Sequence, residues 1–127
     1  MVQQNVMSEK ELEKTISDFM LELGIPAHLR GYQYLRGAVE MCVKDMGLVG
    51  SVTKLLYPDL AKLYQTTDTK IERAIRNAIE VSWNRGNCEL FEELFGYSNS
   101  PEYTRPTNSE YIAVVADYIR LKNHLIA

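Results

Sequence analysis

Lys70, Glu72 and Arg73 bring an ammonium, a carboxylate and a guanidinium together within four consecutive positions. These groups are the ones that read base edges: arginine forks onto guanine, lysine donates to guanine or to a phosphate, and glutamate accepts from the cytosine amino group. They lie near the start of a stretch, about 68–85, whose apolar residues recur with a helical period. With Ile71 placed at zero and about 100° per residue, Ala74, Ile75, Ala78, Ile79 and Ser82 fall within about 80° of it, and Trp83 at about 120°. Thr69, Arg73, Arg76, Asn77 and Glu80 take the opposite side, with Lys70 and Glu72 flanking it. One face is therefore predicted to be buried and the other to be rich in donors and acceptors. A solvated face with ion pairs inside the helix gives the same pattern, because Glu72 and Arg76 have the favourable i,i+4 order.

Such a helix needs a support. Tyr57-Pro58-Asp59 opens a short preceding helix at about 58–64, where proline suits the first turn. Gln65-Thr66-Thr67 then forms a tight polar turn. Two helices joined by a three- or four-residue turn suggest a helix-turn-helix, although a plain helical hairpin looks alike. Ala61 and Ile71, ten apart, suit the small and branched positions that face each other across such a turn. Gln65 stands where glycine is common, which calls for a slightly reshaped turn. Thr69 with Glu72 has the spacing of a capping box for the second helix, and Gly86 is its stop.

The remaining chain reads as helices too. Ser8 and Glu11 form a capping box ahead of Leu12, Ile16, Phe19, Met20 and Leu23, a helix closed by Gly24 and Pro26. A second helix is expected from about Ala27 to Met46, with a short helix or turn at Ser51–Leu56. Asn87 caps a further helix bearing Leu90, Phe91, Leu94 and Phe95, ended by Gly96. A loop spans Tyr97 to Pro106. Thr107 and Glu110 then cap a last helix whose buried stripe is Ile112, Val115, Ala116 and Ile119. The expected fold is all-α with about six helices. Residues 1–10 read as an arm or linker remnant and 11–127 as one domain.

Composition narrows the function. The chain has 127 residues, 46% of them apolar, with no apolar run long enough to span a membrane. The N-terminus lacks the plan of a secretory signal, so a cytoplasmic location is expected. The net charge of −3 argues mildly against nucleic acid, but its distribution is uneven. From Lys54 to Arg85 six bases face four acids, a net +2, whereas the remainder carries 8 bases and 13 acids, a net −5. Cys42 and Cys88 sit among apolar residues and read as buried free thiols; with His28 and His124 they lack the close spacing of a zinc module, so no metal or other cofactor is expected. Glu89, Glu92 and Glu93 crowd one segment as a solvated face would. No phosphate-binding glycine loop and no nucleophile with a nearby base are present, so an enzyme is not expected. A protein-interaction module that docks without reading DNA is the competing reading.

The stretch LYPDLAKLYQTTDTKIERAIRNAIEVSWNRGN resembles the effector-domain family of stage 0 sporulation protein A, a sporulation response regulator. The likeness extends through GIPAHLRGYQYLRGAVE, SVTKLLYPD, LFGY and RPTNSEYIAVVADYIRL, from about Ile16 to Leu121. It implies a six-helix bundle with a helix-turn-helix that activates or represses sporulation genes. It implies binding to double-stranded DNA at boxes resembling TGTCGAA, as tandem head-to-tail homodimers. Family members carry an N-terminal receiver domain phosphorylated on aspartate; this chain looks like the effector half alone. The family's recognition helix matches Thr69 to Glu80. Its base-reading pattern falls on Lys70, Glu72 and Arg73, with Lys70 in place of an arginine, which keeps charge but loses the fork. Arg76 matches an arginine and Asn77 replaces a histidine; with Thr67 and Thr69 they are the expected DNA-backbone contacts. The segment that touches an RNA polymerase sigma factor in some members matches Cys88, Leu90 and Phe95, of which only Phe95 is retained, at a position that also reads as core. Tyr118, Arg120 and His124 on the outer side of the last helix are the candidate dimer contact.

Overall fold

The computed structural model describes residues 7–97 and 102–123, and every regular element among them is helical. In chain order these are α1 (Glu9–Glu22), α2 (Arg30–Lys44), a 3-10 turn (Met46–Gly50), a π-helical turn (Val52–Leu56), α3 (Tyr57–Leu63), α4 (Asp68–Arg85), α5 (Cys88–Phe95) and α6 (Asn108–Lys122). Six α-helices match the expected class. Most of the 1–10 arm, the middle of the 97–106 loop and His124 lie outside the described residues.

Caps explain most boundaries. Ser8 and Glu11 cap α1 reciprocally, and Thr107 and Glu110 do the same for α6. Asn87 Oδ1 accepts from the N–H groups of Glu89 and Leu90 at the start of α5. Two expectations are corrected. First, α2 starts at Arg30 rather than Ala27, after an N-cap, Leu29, whose side chain caps nothing. Its C-terminal end comes at Lys44 because Asp45 turns extended and accepts from the Gly47 N–H. Second, Thr69 does not cap α4. Thr67 does, accepting the Lys70 N–H at 3.2 Å, and the Glu72 carboxylate is turned to Arg76 instead.

Helix α2 is the central element and packs against α1, α4 and α6. Ile16, Met20, Leu35, Ala38, Val39, Cys42, Ile71, Ile75, Ile112, Val115 and Ala116 are all sealed from solvent. Gly31 sets the distance between α2 and α4: a Cβ there would lie 2.1 Å from the Ala74 carbonyl oxygen. The α4 stripe is buried as its periodicity predicts, at Ile71, Ile75, Ala78, Ile79 and Ser82.

Ser82 is the one polar residue buried among the described ones, and it staples three segments. Its hydroxyl donates to the Leu23 carbonyl at 2.6 Å, so its 2.7 Å contact with Tyr111 must be donated by the tyrosine. Burial pushes the Tyr111 hydroxyl above the usual tyrosine range, while the Ser82 bond pulls the other way. Replacing Ser82 by alanine strands a carbonyl and a phenol in the core. We expect Ser82→Ala to cost about 1–3 kcal/mol in chemical denaturation; a midpoint equal to that of the parent chain would show that the staple contributes nothing.

Candidate nucleic-acid interface

Helices α3 and α4 meet through a turn whose hydrogen bonds fix its shape. The Thr66 N–H bonds the Ala61 carbonyl at 2.9 Å and the Gln65 N–H bonds the Lys62 carbonyl at 3.3 Å. This pair of bonds is a Schellman closure, with Gln65 at the left-handed position, φ +54°. The sequence departs from glycine there, and the chain accepts a strained backbone to keep the turn. Ala61 and Ile71 are both buried behind the turn, as their spacing predicted. The arrangement is a helix-turn-helix: α3 supports, and the first turns of α4 project.

The projecting ridge separates two grooves. One is lined by Lys70, Arg73, Arg30, Tyr64 and Thr66 among others, and no carboxylate borders it. The second lies on the other flank, where Glu72 and Arg76 face Arg105, Asn108 and Tyr57. The three proposed base-reading residues therefore point two ways: Lys70 and Arg73 border one groove and Glu72 the other. Lys70 and Arg73 are exposed and form no ion pair or hydrogen bond through their side chains among the described residues. Glu72 is bound to Arg76 at 3.0 Å, an exposed i,i+4 pair worth little in stability that holds the carboxylate in one place.

The remaining expected contacts are also located. Thr67, Thr69, Arg76 and Asn77 are all exposed. Thr67 accepts in its cap, which leaves its hydroxyl proton free to donate outward. Cys88 is exposed, not buried, because it opens α5, whose only sealed residue is Phe91. Cys42 is the buried thiol, and burial pushes it up to about 11, with the Asp45 charge acting in the same direction. Leu90 is half-buried. Phe95 is half-buried as well and lies 5.6 Å from both the Phe91 and the Tyr111 rings, so it serves the core. On α6, Tyr118 stacks on Phe19 at 5.1 Å and donates to Glu93 at 2.9 Å, and Arg120 pairs with Asp117 at 3.6 Å. Both side chains are half-buried. Glu89, Glu92 and Glu93 are exposed.

Two residues that sequence reasoning passed over complete the site. Asn108 Nδ2 donates to the Tyr57 hydroxyl at 3.0 Å and to the Glu72 carbonyl at 3.1 Å, tying α6 to both helices of the motif. Burial raises the Tyr57 hydroxyl, and the Asn108 bond opposes that shift. Arg30, from α2, joins the Lys70–Arg73 groove across about forty residues of chain. No local pattern announces either residue, since both arrive by tertiary packing.

Among the described residues, no group of three or more His, Cys, Asp or Glu side chains is placed to hold a metal ion, and no helix is long and apolar enough to cross a membrane. The family model for the sporulation initiation factor Spo0A C-terminal domain matches residues 16–119 of the chain.

Proposed function

Because the chain belongs to the Spo0A C-terminal family, the DNA-binding effector domains of sporulation initiation, we propose that it reads a TGTCGAA-like box with the first turns of α4 in the major groove. In this reading Arg73 forks onto a guanine, Glu72 accepts from a cytosine amino group, and Lys70 contacts guanine or an adjoining phosphate. Thr67, Thr69, Arg76 and Asn77 hold the backbone of the box, helped by the positive end of the α4 dipole. The observation that carries this is the pair of exposed, unpaired cations Lys70 and Arg73 on a capped helix that a closed turn aims outward.

The same reading places the domain in the cytoplasm, as residues 11–127 of an effector working under a phosphorylated receiver. Two copies occupy tandem boxes, with their reading helices about one DNA turn apart. The exposed start of α5, with Cys88 and the half-buried Leu90, is the part of the sigma-factor segment open to a partner; Phe95 is committed to the aromatic cluster. The test is a titration of a box duplex against a scrambled duplex at several salt concentrations. We expect preference for the box and a steep loss of affinity with salt, as released counterions require. Equal, weak binding to both would favour a module that docks on protein without reading DNA.

A further inference from the structure

The groove beside Lys70 and Arg73 holds a third cation that neither the helix-turn-helix pattern nor the family match assigns. Arg30 stands on the first turn of α2, about forty residues before the recognition helix in sequence. It is exposed, and among the described residues it has no carboxylate partner. The cations of the groove on the other flank are different: Arg76 is paired with Glu72, and Arg105 reaches Glu80 at 4.0 Å. Three positive charges bordering one groove, with no ion pair among the described residues, repel one another. No carboxylate in the lining of the groove offsets that repulsion. An anion entering the groove does.

Resting on the reading above, we infer that Arg30 clamps a phosphate of the DNA strand bordering the major groove on the Lys70–Arg73 side. Arg30 belongs to a different helix and lies to one side of the α4 ridge, which suits a backbone contact better than a base contact. Its planar fork matches two phosphate oxygens, and its separate anchoring on α2 fixes the angle at which α4 enters the groove. Thr66 and Tyr64, whose hydroxyl donates to the Gln33 carbonyl, line the same groove. The domain thus holds the duplex from two helices that the sequence keeps far apart.

The experiment compares the parent chain, Arg30→Ala and Arg30→Lys on box and scrambled duplexes from 50 to 200 mM salt. One phosphate contact contributes about 0.9 to the logarithmic salt slope, so across this fourfold range the parent chain should lose about 3.5-fold more affinity than Arg30→Ala. The loss should be the same on both duplexes, leaving box preference unchanged, and Arg30→Lys should restore the slope. Duplexes carrying one neutral methylphosphonate should show one position where neutralisation weakens the parent chain but not Arg30→Ala. An unchanged slope for Arg30→Ala, or a loss confined to the box, overturns the clamp while leaving box recognition standing. A parent chain that shows no box preference overturns the reading of α4 and the clamp with it. Thermal melting of Arg30→Ala should match the parent, because the side chain is exposed; a lowered midpoint with an unchanged slope also counts against the clamp.

Discussion

Replacing Arg73 by alanine is expected to weaken binding to a box duplex by about 5- to 150-fold, the equivalent of about 1–3 kcal/mol. The side chain is exposed at the projecting end of α4 and has no partner in the free protein. Its removal therefore leaves nothing unsatisfied in the fold, and melting should not change. On a scrambled duplex the loss should be smaller, because there Arg73 acts only as one more positive charge. This asymmetry separates a base-reading guanidinium from a general electrostatic one. Equal losses on the two duplexes would reduce Arg73 to a backbone contact and leave the specificity of the domain to other residues. Titration by fluorescence anisotropy at a single salt concentration suffices to measure the ratio.

The second large effect is on the scaffold. Gly31→Ala should destabilise the domain by about 1–3 kcal/mol or more, because the new methyl group meets the backbone of α4 rather than a side chain that can swing away. The nearest atoms to such a Cβ are the Ala74 carbonyl oxygen at 2.1 Å and the Ala78 Cβ at 2.8 Å. Helix α2 must then retreat, and α4 with it, so box affinity should fall even well below the melting midpoint. At about 4 °C per kcal/mol the midpoint should drop by about 4–12 °C. Gly50→Ala is the control: a Cβ there meets nothing within 4 Å, so it should be neutral or slightly stabilising. If both variants melt alike, the close approach of α2 and α4 does not limit stability.

The parts of this molecule that sequence made legible are those set by local chemistry. The S-x-x-E and T-x-x-E boxes placed the starts of α1 and α6, since a cap is decided within four residues. The buried stripe of α4 followed from its period, and its end from Gly86. The start of α2 was not legible, because Leu29 caps nothing and Ala27 and His28 suit either a turn or a helix. The choice of Thr67 over Thr69 as the cap of α4 depended on the Schellman closure before it, which rests on an unusual left-handed glutamine. Cys88 has the spacing of a core residue, yet at the first position of α5 no neighbouring helix covers it.

The site divides in the same way. Lys70, Glu72 and Arg73 were visible as chemistry on one short segment. That they border two separate grooves was not, because Arg30 and Asn108 reach the ridge only when α2 and α6 pack behind it. Asn108 also illustrates how the ridge is held: it fastens the Glu72 carbonyl while leaving that residue's carboxylate to Arg76. Sequence spacing cannot show such a division of one residue between two partners.

The central claim is that the first turns of α4 read bases, each through its own side chain. It is tested most directly by a matrix in which every base pair of a TGTCGAA-like box is replaced in turn. Each duplex is titrated with the parent chain and with Lys70→Ala, Glu72→Ala and Arg73→Ala. The parent chain should lose about 1–3 kcal/mol at each pair that is read. Glu72→Ala and Arg73→Ala should each become indifferent at one pair, not the same one, while keeping the parent's preference elsewhere. Lys70→Ala should become indifferent at a neighbouring guanine or lose affinity evenly. Variants that keep the parent's full preference at every pair would contradict the account.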